Sequence, residues 1–312
     1  MSVRLSLIQM RHRDNVGGNV DAAVDRIKRV VAEAGADADA AGEGHIVCLP
    51  ELFAGEYPCQ SEDHRQFDLA EPIPGPTTDR LSRLAAESSV VIVVPVFERR
   101  APGLYHNAAA VIDADGSIAG ISRKMHVPDD PLYYEKFYFT PGDAAAGDAA
   151  VGEEHSGCCT GGFNVIATRY AKLGVGICWD QWFPEAARLW ALGGAEILLY
   201  PSAIGWVDSD KADSGAATLE AWQITLRSHA IANGLFVAAA NRVGVEGRLE
   251  FWGRSMVVGP HGQMIAEAGD REEAVVTAEL ELGAIDLTRR VWPFLRDRRV
   301  DAYGGLGKRW IE

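Results

Sequence analysis

Short apolar runs rich in β-branched residues alternate along the chain with segments whose apolar residues recur every three or four positions. The first pattern predicts β-strands, and the second predicts amphipathic helices. The predicted strands are 4–9, 46–49, 90–97, 108–113, 173–178, 197–200, 236–241, 255–258 and 274–280. The predicted helices lie near 19–34, 77–88, 184–192 and 218–233. Strands that alternate with helices favour a mixed α/β architecture.

Three local features complete this outline. The sequence 113–116, Asp-Ala-Asp-Gly, lies between two strands and predicts an antiparallel hairpin. Residues 143–162 are dominated by Ala and Gly, which predicts an inserted surface loop near 144–162. We therefore expect a single domain over 1–312, with this insertion and a C-terminal tail near 292–312.

Acidic residues outnumber basic ones by 44 to 30, which gives a formal charge of -14 over 312 residues. This charge would repel phosphate backbones and anionic lipids, so neither nucleic acid nor a membrane surface is expected as a partner. The longest apolar runs, such as 90–97, fall far short of the roughly 20 residues that cross a bilayer. The first residues also lack the charged and apolar regions of a secretion signal.

The five cysteines are sparse and odd in number, unlike a secreted disulfide framework. We expect reduced thiols and a cytoplasmic protein. Familiar motifs are absent: there is no complete phosphate loop or dinucleotide fingerprint, no Cys-x-x-Cys or His-Glu-x-x-His zinc spacing, and no Gly-x-Ser-x-Gly elbow.

The strongest chemical signal surrounds Cys178. A small apolar strand ends at this residue, and the following segment turns into a helix that begins near Pro184. A thiol at such a turn can face a pocket and act as a nucleophile. Buried, inert cysteines are also common, so this segment alone leaves both interpretations open.

Two further ionisable residues follow strands. Pro50-Glu51 ends one strand with a carboxylate, and Arg123-Lys124-Met125-His126 ends another with an ammonium. With Gly176-Ile177-Cys178-Trp179-Asp180, these motifs resemble, in order and context, those of the nitrilase superfamily of carbon–nitrogen hydrolases. The resemblance runs from residue 3 to residue 303.

The resemblance implies a four-layer α-β-β-α sandwich and a catalytic set of Glu51, Lys124 and Cys178. Glu51 would serve as general base, Cys178 as nucleophile and Lys124 as support for the oxyanion. Glu135 resembles the second glutamate of the superfamily and would hold Lys124 and orient the substrate. No metal or organic cofactor is expected. The resemblance also implies a homodimer or a larger homo-oligomer.

Within the superfamily, the chain resembles the N-carbamoylputrescine amidase branch. Segments 134–139, 141–143, 178–188 and 294–299 carry this likeness. It implies hydrolysis of an N-carbamoyl amine to amine, CO2 and ammonia. The alternatives are a ureido-acid amidohydrolase, an aliphatic amidase, a nitrilase, or a non-catalytic interaction protein that has kept only the fold.

Substrate contacts are predicted from motif position. The candidates are Tyr57, Trp179, Asp180, Ser202, Ala203 and Arg227, with Glu56, Trp206 and Asp208 as further loop candidates. Glu56 and Arg227 depart from the putrescine-specific pattern. An arginine facing the pocket would favour a substrate that carries a carboxylate.

Overall fold

The computed structural model describes residues 2–13, 15–36, 44–143 and 162–311. Within these ranges the strands are β1 (Ser2–Gln9), β2 (Gly44–Cys48), β3 (Val91–Ala101), β4 (Leu104–Ile112), β5 (Ile118–Arg123), β6 (Val165–Ala167), β7 (Lys172–Val175), β8 (Ile197–Ser202), β9 (Gly205–Val207), β10 (Phe236–Asn241), β11 (Val243–Glu246), β12 (Leu249–Trp252), β13 (Met256–Val258), β14 (Met264–Glu267) and β15 (Ala274–Glu281).

The α-helices of the same ranges are α1 (Val16–Ala36), α2 (Pro76–Ser88), α3 (Glu135–Tyr138), α4 (Pro184–Leu192), α5 (Asp208–Asp213), α6 (Gly215–Asn233) and α7 (Gly283–Val291). Short 3-10 helices cover Pro58–Gln60, His64–Leu69, Cys178–Trp182, Val300–Ala302 and Gly304–Gly307. The helix near 184 begins at its proline, as the sequence predicts.

Two six-stranded mixed sheets form the centre of the fold. The first has the order β15-β1-β2-β3-β4-β5, with parallel pairs in the β1-β2-β3 part and antiparallel pairs elsewhere. The second has the order β14-β13-β10-β8-β7-β6, with β7, β8 and β10 parallel. The predicted hairpin is confirmed, because β4 and β5 pair antiparallel across the turn.

Alternating side chains divide the core into layers. In β2, Ile46 and Cys48 join the cluster that contains Leu173 and Val175 of the second sheet, whereas Val47 joins the cluster with α1 and α2. Helices α4 and α6 contribute Trp190, Trp222 and Leu226 to the first of these clusters, packed against the second sheet. The four-layer α-β-β-α sandwich is confirmed.

A third sheet, in the order β11-β12-β9, lies outside the sequence predictions. Its strands are only three or four residues long, too short for alternation to stand out. Nearly all of the expected insertion near 144–162 lies outside the described residues. In the part of the chain that is described, no helix has the length and apolar character to span a membrane.

His45 is buried in the first sheet, with its Nε2 atom 2.9 Å from the Ser6 hydroxyl. Burial lowers the pKa of His45 to about 4, helped by the charge of Arg4 and opposed by Glu279. Burial also lowers the pKa of His106 and of His229. Folding therefore favours the neutral form of each ring.

We expect the protein to lose stability as pH falls from 6.5 towards 4. In that interval the unfolded chain binds protons at these histidines that the folded chain excludes. On going from pH 7 to pH 5, protonation linked to His45 alone lowers the free energy of unfolding by about 2 kcal/mol. Urea unfolding at both pH values measures the loss. It should shrink in His45→Gln and persist in His261→Gln, an exposed control; equal pH dependence in the two variants would contradict the assignment.

Candidate active site

Strand ends of both central sheets bring the predicted catalytic residues together. Glu51 lies in the turn after β2, and Lys124 directly follows β5. Cys178 comes from the other sheet, where β7 leads into the 3-10 helix Cys178–Trp182. Glu135 is the first residue of α3, within the long connection between the sheets.

Lys124 is the centre of this site. Its Nζ atom lies 2.8 Å from Glu51 Oε1 and 2.8 and 2.7 Å from the two carboxylate oxygens of Glu135. All three side chains are at most 1% exposed. Burial lowers the pKa of Lys124, but the charges of Glu135 and Glu51 outweigh burial and hold its pKa well above the usual range. Lys124 is therefore an ammonium ion between two acidic groups.

Glu135 has further donors besides Lys124. The Tyr57 hydroxyl donates to Oε1 at 2.7 Å, and the Asn107 amide lies 3.4 Å from Oε2. Burial raises the pKa of Glu135, Lys124 opposes this rise and the charge of Glu51 adds to it. Hydrogen bonds on both oxygens thus fix the orientation of this carboxyl group.

Cys178 has the left-handed backbone conformation, with φ at 44°. A non-glycine residue rarely adopts this conformation, and such residues are frequent at functional sites. Burial and the charge of Glu51 raise the pKa of the Cys178 thiol well above its usual value, while Lys124 and a hydrogen bond from the Ala203 backbone lower it. The resting group is a thiol, which needs a base before it can attack.

Asp180 does not have the predicted position of a substrate contact. It is buried, and its Oδ2 atom accepts the backbone N–H of Ile177 at 2.9 Å. Its Oδ1 atom accepts the backbone N–H of His126 at 2.9 Å and lies 2.7 Å from the ring atom Nδ1 of that residue. The carboxylate therefore ties the segment before Cys178 to the segment after Lys124.

A cavity of about 670 Å³ opens onto Cys178 and Glu135. Of the predicted substrate contacts, Trp179 lines it, together with the loop candidate Trp206. Aromatic side chains make up much of its wall, and Asp130 and Arg248 supply opposite charges. The cavity can therefore hold a small-molecule substrate whose reactive end reaches the thiol.

The other predicted contacts are not among the described residues that line this cavity. Tyr57 contacts the site through its hydrogen bond to Glu135. Ala203 contacts it through a hydrogen bond from its backbone to the Cys178 sulfur. Ser202 is buried and donates to the carbonyl of Tyr200 at 3.0 Å. Arg227 donates to the carbonyl of Gly262 at 2.8 Å. The sequence leaves open whether Arg227 faces the pocket; in the structure its guanidinium is held by that carbonyl.

The remaining loop candidates separate in space. Glu56 lines a different cavity, of about 260 Å³, whose described lining excludes Cys178. The side chain of Asp208 lies outside the described part of the structure. Glu56 is thus removed from the predicted substrate site, because the turn after Glu51 directs it to the other cavity.

Sequence reasoning missed several residues of the site. Asn107, Asp130, Tyr133, Trp182, Arg248 and Trp252 all contact the carboxylates or line the cavity. Asn107 gave a usable signal, because it is a polar residue at the start of the apolar run of β4. The others lie on loops, a short strand or the 3-10 helix after Cys178, where sequence spacing does not reveal which residues meet.

No group of three or more potential metal ligands is present among the described residues.

The sequence model of the family described as carbon-nitrogen hydrolase matches residues 4–290. The chain belongs to the carbon–nitrogen hydrolase family. It is accordingly a hydrolase that acts on amides.

Individual relatives support this assignment over the whole chain. An N-carbamoylputrescine amidase of Solanum lycopersicum is 42% identical over 310 residues, which cover 96% of this chain and 93% of the relative. A citrullinase of Francisella tularensis is 36% identical over 318 residues, or 99% of each protein. The crystal structure of a carbon-nitrogen hydrolase from Helicobacter pylori matches all of both chains with a TM-score of 0.88 and 42% identity.

Replacing Lys124 by methionine in this carbon–nitrogen hydrolase should be strongly destabilising. The change leaves two buried carboxyl groups without their cation, which costs about 3–5 kcal/mol when one partner of a buried pair is removed. Urea unfolding should show that the double variant Lys124→Met/Glu135→Gln loses less stability than the single variant Lys124→Met. The reason is that the double variant also removes one of the buried acidic groups. Arg290→Met breaks an exposed pair with Asp286 and serves as control. Unchanged stability in Lys124→Met would refute the central role of the ammonium.

Proposed function

We propose that this enzyme hydrolyses the C–N bond of an N-carbamoyl amine through a covalent intermediate on Cys178. The observation that carries the proposal is the buried set of Glu51, Lys124 and Glu135 on the same site as the thiol. A nucleophile, a base and a cation for a developing oxyanion are the groups that acyl transfer requires.

In the first half-reaction, Glu51 takes the thiol proton. Its Oε2 atom is buried and has no hydrogen-bond partner among the described residues, so it is available as the base. The sulfur forms a bond to the carbonyl carbon, and the carbonyl π electrons move onto oxygen. Lys124 and the backbone N–H of Trp179 stabilise that oxyanion.

Collapse of the tetrahedral intermediate breaks the C–N bond and releases the amine. Protonated Glu51 supplies the proton that the amine nitrogen needs, and a carbamoyl thioester remains on Cys178. Glu51 then takes a proton from water, whose oxygen attacks the thioester carbon. The C–S bond breaks, the thiol regains its proton, and the released carbamate decomposes to ammonia and carbon dioxide.

N-Carbamoylputrescine is the substrate we propose first, with putrescine, a polyamine precursor, as the released amine. The amidases that share 42% identity over nearly the whole chain support this choice. Asp130 and the aromatic wall of the cavity, including Trp179 and Trp206, suit a distal ammonium. Contacts between a cation and an aromatic ring contribute about 0.5–2 kcal/mol each.

A ureido acid is the second candidate, because Arg248 lines the same cavity. Its guanidinium can pair with a carboxylate. The relative named citrullinase acts, by its name, on a ureido compound that carries both charges. The two candidates thus differ in which charged residue of the cavity, Asp130 or Arg248, would bind the far end of the substrate.

Specificity constants for N-carbamoylputrescine, N-carbamoyl-β-alanine and citrulline decide between them. We expect N-carbamoylputrescine to be preferred, and Asp130→Asn to lower its kcat/KM about tenfold, equivalent to about 1.4 kcal/mol. Arg248→Gln is the matched control and should leave this value within about threefold. A preference for either acid that collapses in Arg248→Gln would reverse the assignment.

Loss of the nucleophile or the base should abolish turnover without unfolding the protein. We expect Cys178→Ala to lower kcat at least about 10³-fold and Glu51→Gln about 10²- to 10⁴-fold, because both half-reactions need these groups. Ammonia release measures activity, and mass spectrometry after rapid quenching detects the carbamoyl adduct. Cys48→Ala, a buried thiol of the core, should keep both activity and adduct. Comparable activity in Cys178→Ala would eliminate the mechanism, whereas a wild-type protein that releases no ammonia from any of these substrates would favour the non-catalytic alternative.

We further propose that the enzyme works as a homodimer or larger homo-oligomer. Leu189 and Leu192 of α4, Ile224 of α6, and Trp310 and Ile311 of the tail are all exposed. Exposed apolar surface of this kind is typical of contacts between subunits. Sedimentation at micromolar concentration should give a mass of at least two chains, and a monomer would contradict the proposal.

A cytoplasmic location is also part of this proposal. Cys48, Cys59 and Cys178 are free thiols, as expected in a reducing compartment. The proposed chemistry also depends on a reduced nucleophile. Fractionation with compartment markers tests this location.

A further inference from the structure

Asn107 contacts Lys124 and both carboxyl groups that bind its ammonium. It is 1% exposed and lies on β4, which pairs with the strand that precedes Lys124. Its side-chain amide donates to Glu51 Oε1 at 2.7 Å and lies 3.4 Å from Glu135 Oε2. Its backbone carbonyl accepts the N–H of Lys124 at 2.8 Å. A single residue thus contacts the proposed base, the cation and the second carboxylate.

The two carboxylate oxygens of Glu51 differ in their hydrogen bonds. Oε1 accepts from both Lys124 Nζ and Asn107 Nδ2, at 2.8 and 2.7 Å. Oε2 has no partner among the described residues. To rotate the carboxylate, both bonds to Oε1 must break, and bonds to charged groups are among the stronger hydrogen bonds in proteins. The two donors together therefore determine which oxygen is left to take the thiol proton.

Lys124 cannot hold Glu51 by itself throughout the proposed reaction. An ammonium has three N–H donors, and the three carboxylate oxygens around Nζ already occupy them. Lys124 must redirect one donor to stabilise the oxyanion. If that donor is the one on Glu51, only Asn107 still orients the carboxyl group.

We propose that Asn107 is a positioning residue that keeps Glu51 Oε2 directed towards Cys178 in both protonation states of the base. This inference rests on the proposed function, in which Glu51 moves the protons. An amide N–H can donate to Oε1 of the carboxylate and also to Oε1 of the acid, once Oε2 carries the proton. An ammonium in place of the Asn107 amide would stabilise the Glu51 carboxylate and so weaken it as a base. A carboxylate in that place would repel the Glu51 carboxylate.

The first test compares Asn107→Leu with wild type. Leucine has a similar size but no donor, so we expect kcat to fall about 30- to 100-fold, a range typical of misplaced catalytic groups. KM should stay within about threefold, because Asn107 is not among the described residues lining the cavity. His106→Leu is the matched control: it lies on the same strand, is equally buried and loses a hydrogen bond to the Thr140 carbonyl. Its kcat should stay within about threefold of wild type.

The second test measures whether Asn107 acts through Glu51. The rate of Cys178 alkylation by iodoacetamide, followed by mass spectrometry, reports activation of the thiol without turnover. We expect Asn107→Leu to slow alkylation about tenfold in the wild-type background and to have no further effect in Glu51→Gln. Residues that act as a unit show this non-additivity, whereas a structural defect slows both backgrounds.

Several results would overturn the proposal: a folded Asn107→Leu protein with kcat within threefold of wild type, additive effects in the double variant, or an equal loss in His106→Leu. Asn107→Ser, which keeps one hydroxyl donor, is the second variant and should show a smaller, equally non-additive loss. Failure of both variants to fold would assign Asn107 a structural role instead. Full activity in Cys178→Ala would refute the proposed function itself, a result that does not depend on any Asn107 variant.

Discussion

The contact between Lys124 and two buried carboxylates is the interaction on which the site depends. One ammonium lies between the side chains of Glu51 and Glu135, and all three groups are away from solvent. Such a group is stable only if its geometry is tightly held, because desolvation penalises each charge. The hydrogen bonds from Tyr57 and Asn107 supply part of that restraint. The surrounding fold must keep these side chains within hydrogen-bond distance.

The sandwich meets this requirement by bringing strand ends of two sheets to one place. Glu51 and Lys124 follow strands of the first sheet, and Cys178 follows a strand of the second. The inter-sheet core fixes their separation, because close-packed side chains resist displacement. Asp180 adds a polar tie across the same gap by binding the segments on either side. Packing and hydrogen bonding thus act together to keep the proposed nucleophile beside the proposed base.

The same arrangement keeps the resting Cys178 side chain protonated. Burial and the charge of Glu51 raise the pKa of Cys178, so a free thiolate is disfavoured at rest. In the proposed mechanism, proton transfer from the thiol to Glu51 removes that repulsion, and the charge of Lys124 favours the negative sulfur. The cavity where we propose that the substrate is selected combines aromatic walls with Asp130 and Arg248.

The sequence by itself determined the α/β class, most of the long strands and helices, and the residues that end three strands with reactive groups. These features follow from local periodicity and from ordered motifs, which a linear chain displays directly. It did not reveal the sheet of β9, β11 and β12, whose strands are too short to show a period. Only the tertiary structure decided which side chains meet, since Asn107 and Glu51 are 56 positions apart. The tertiary structure likewise directs Arg227 to a backbone carbonyl and Asp180 to the segments beside Lys124 and Cys178, because side-chain direction depends on neighbours that are distant in sequence.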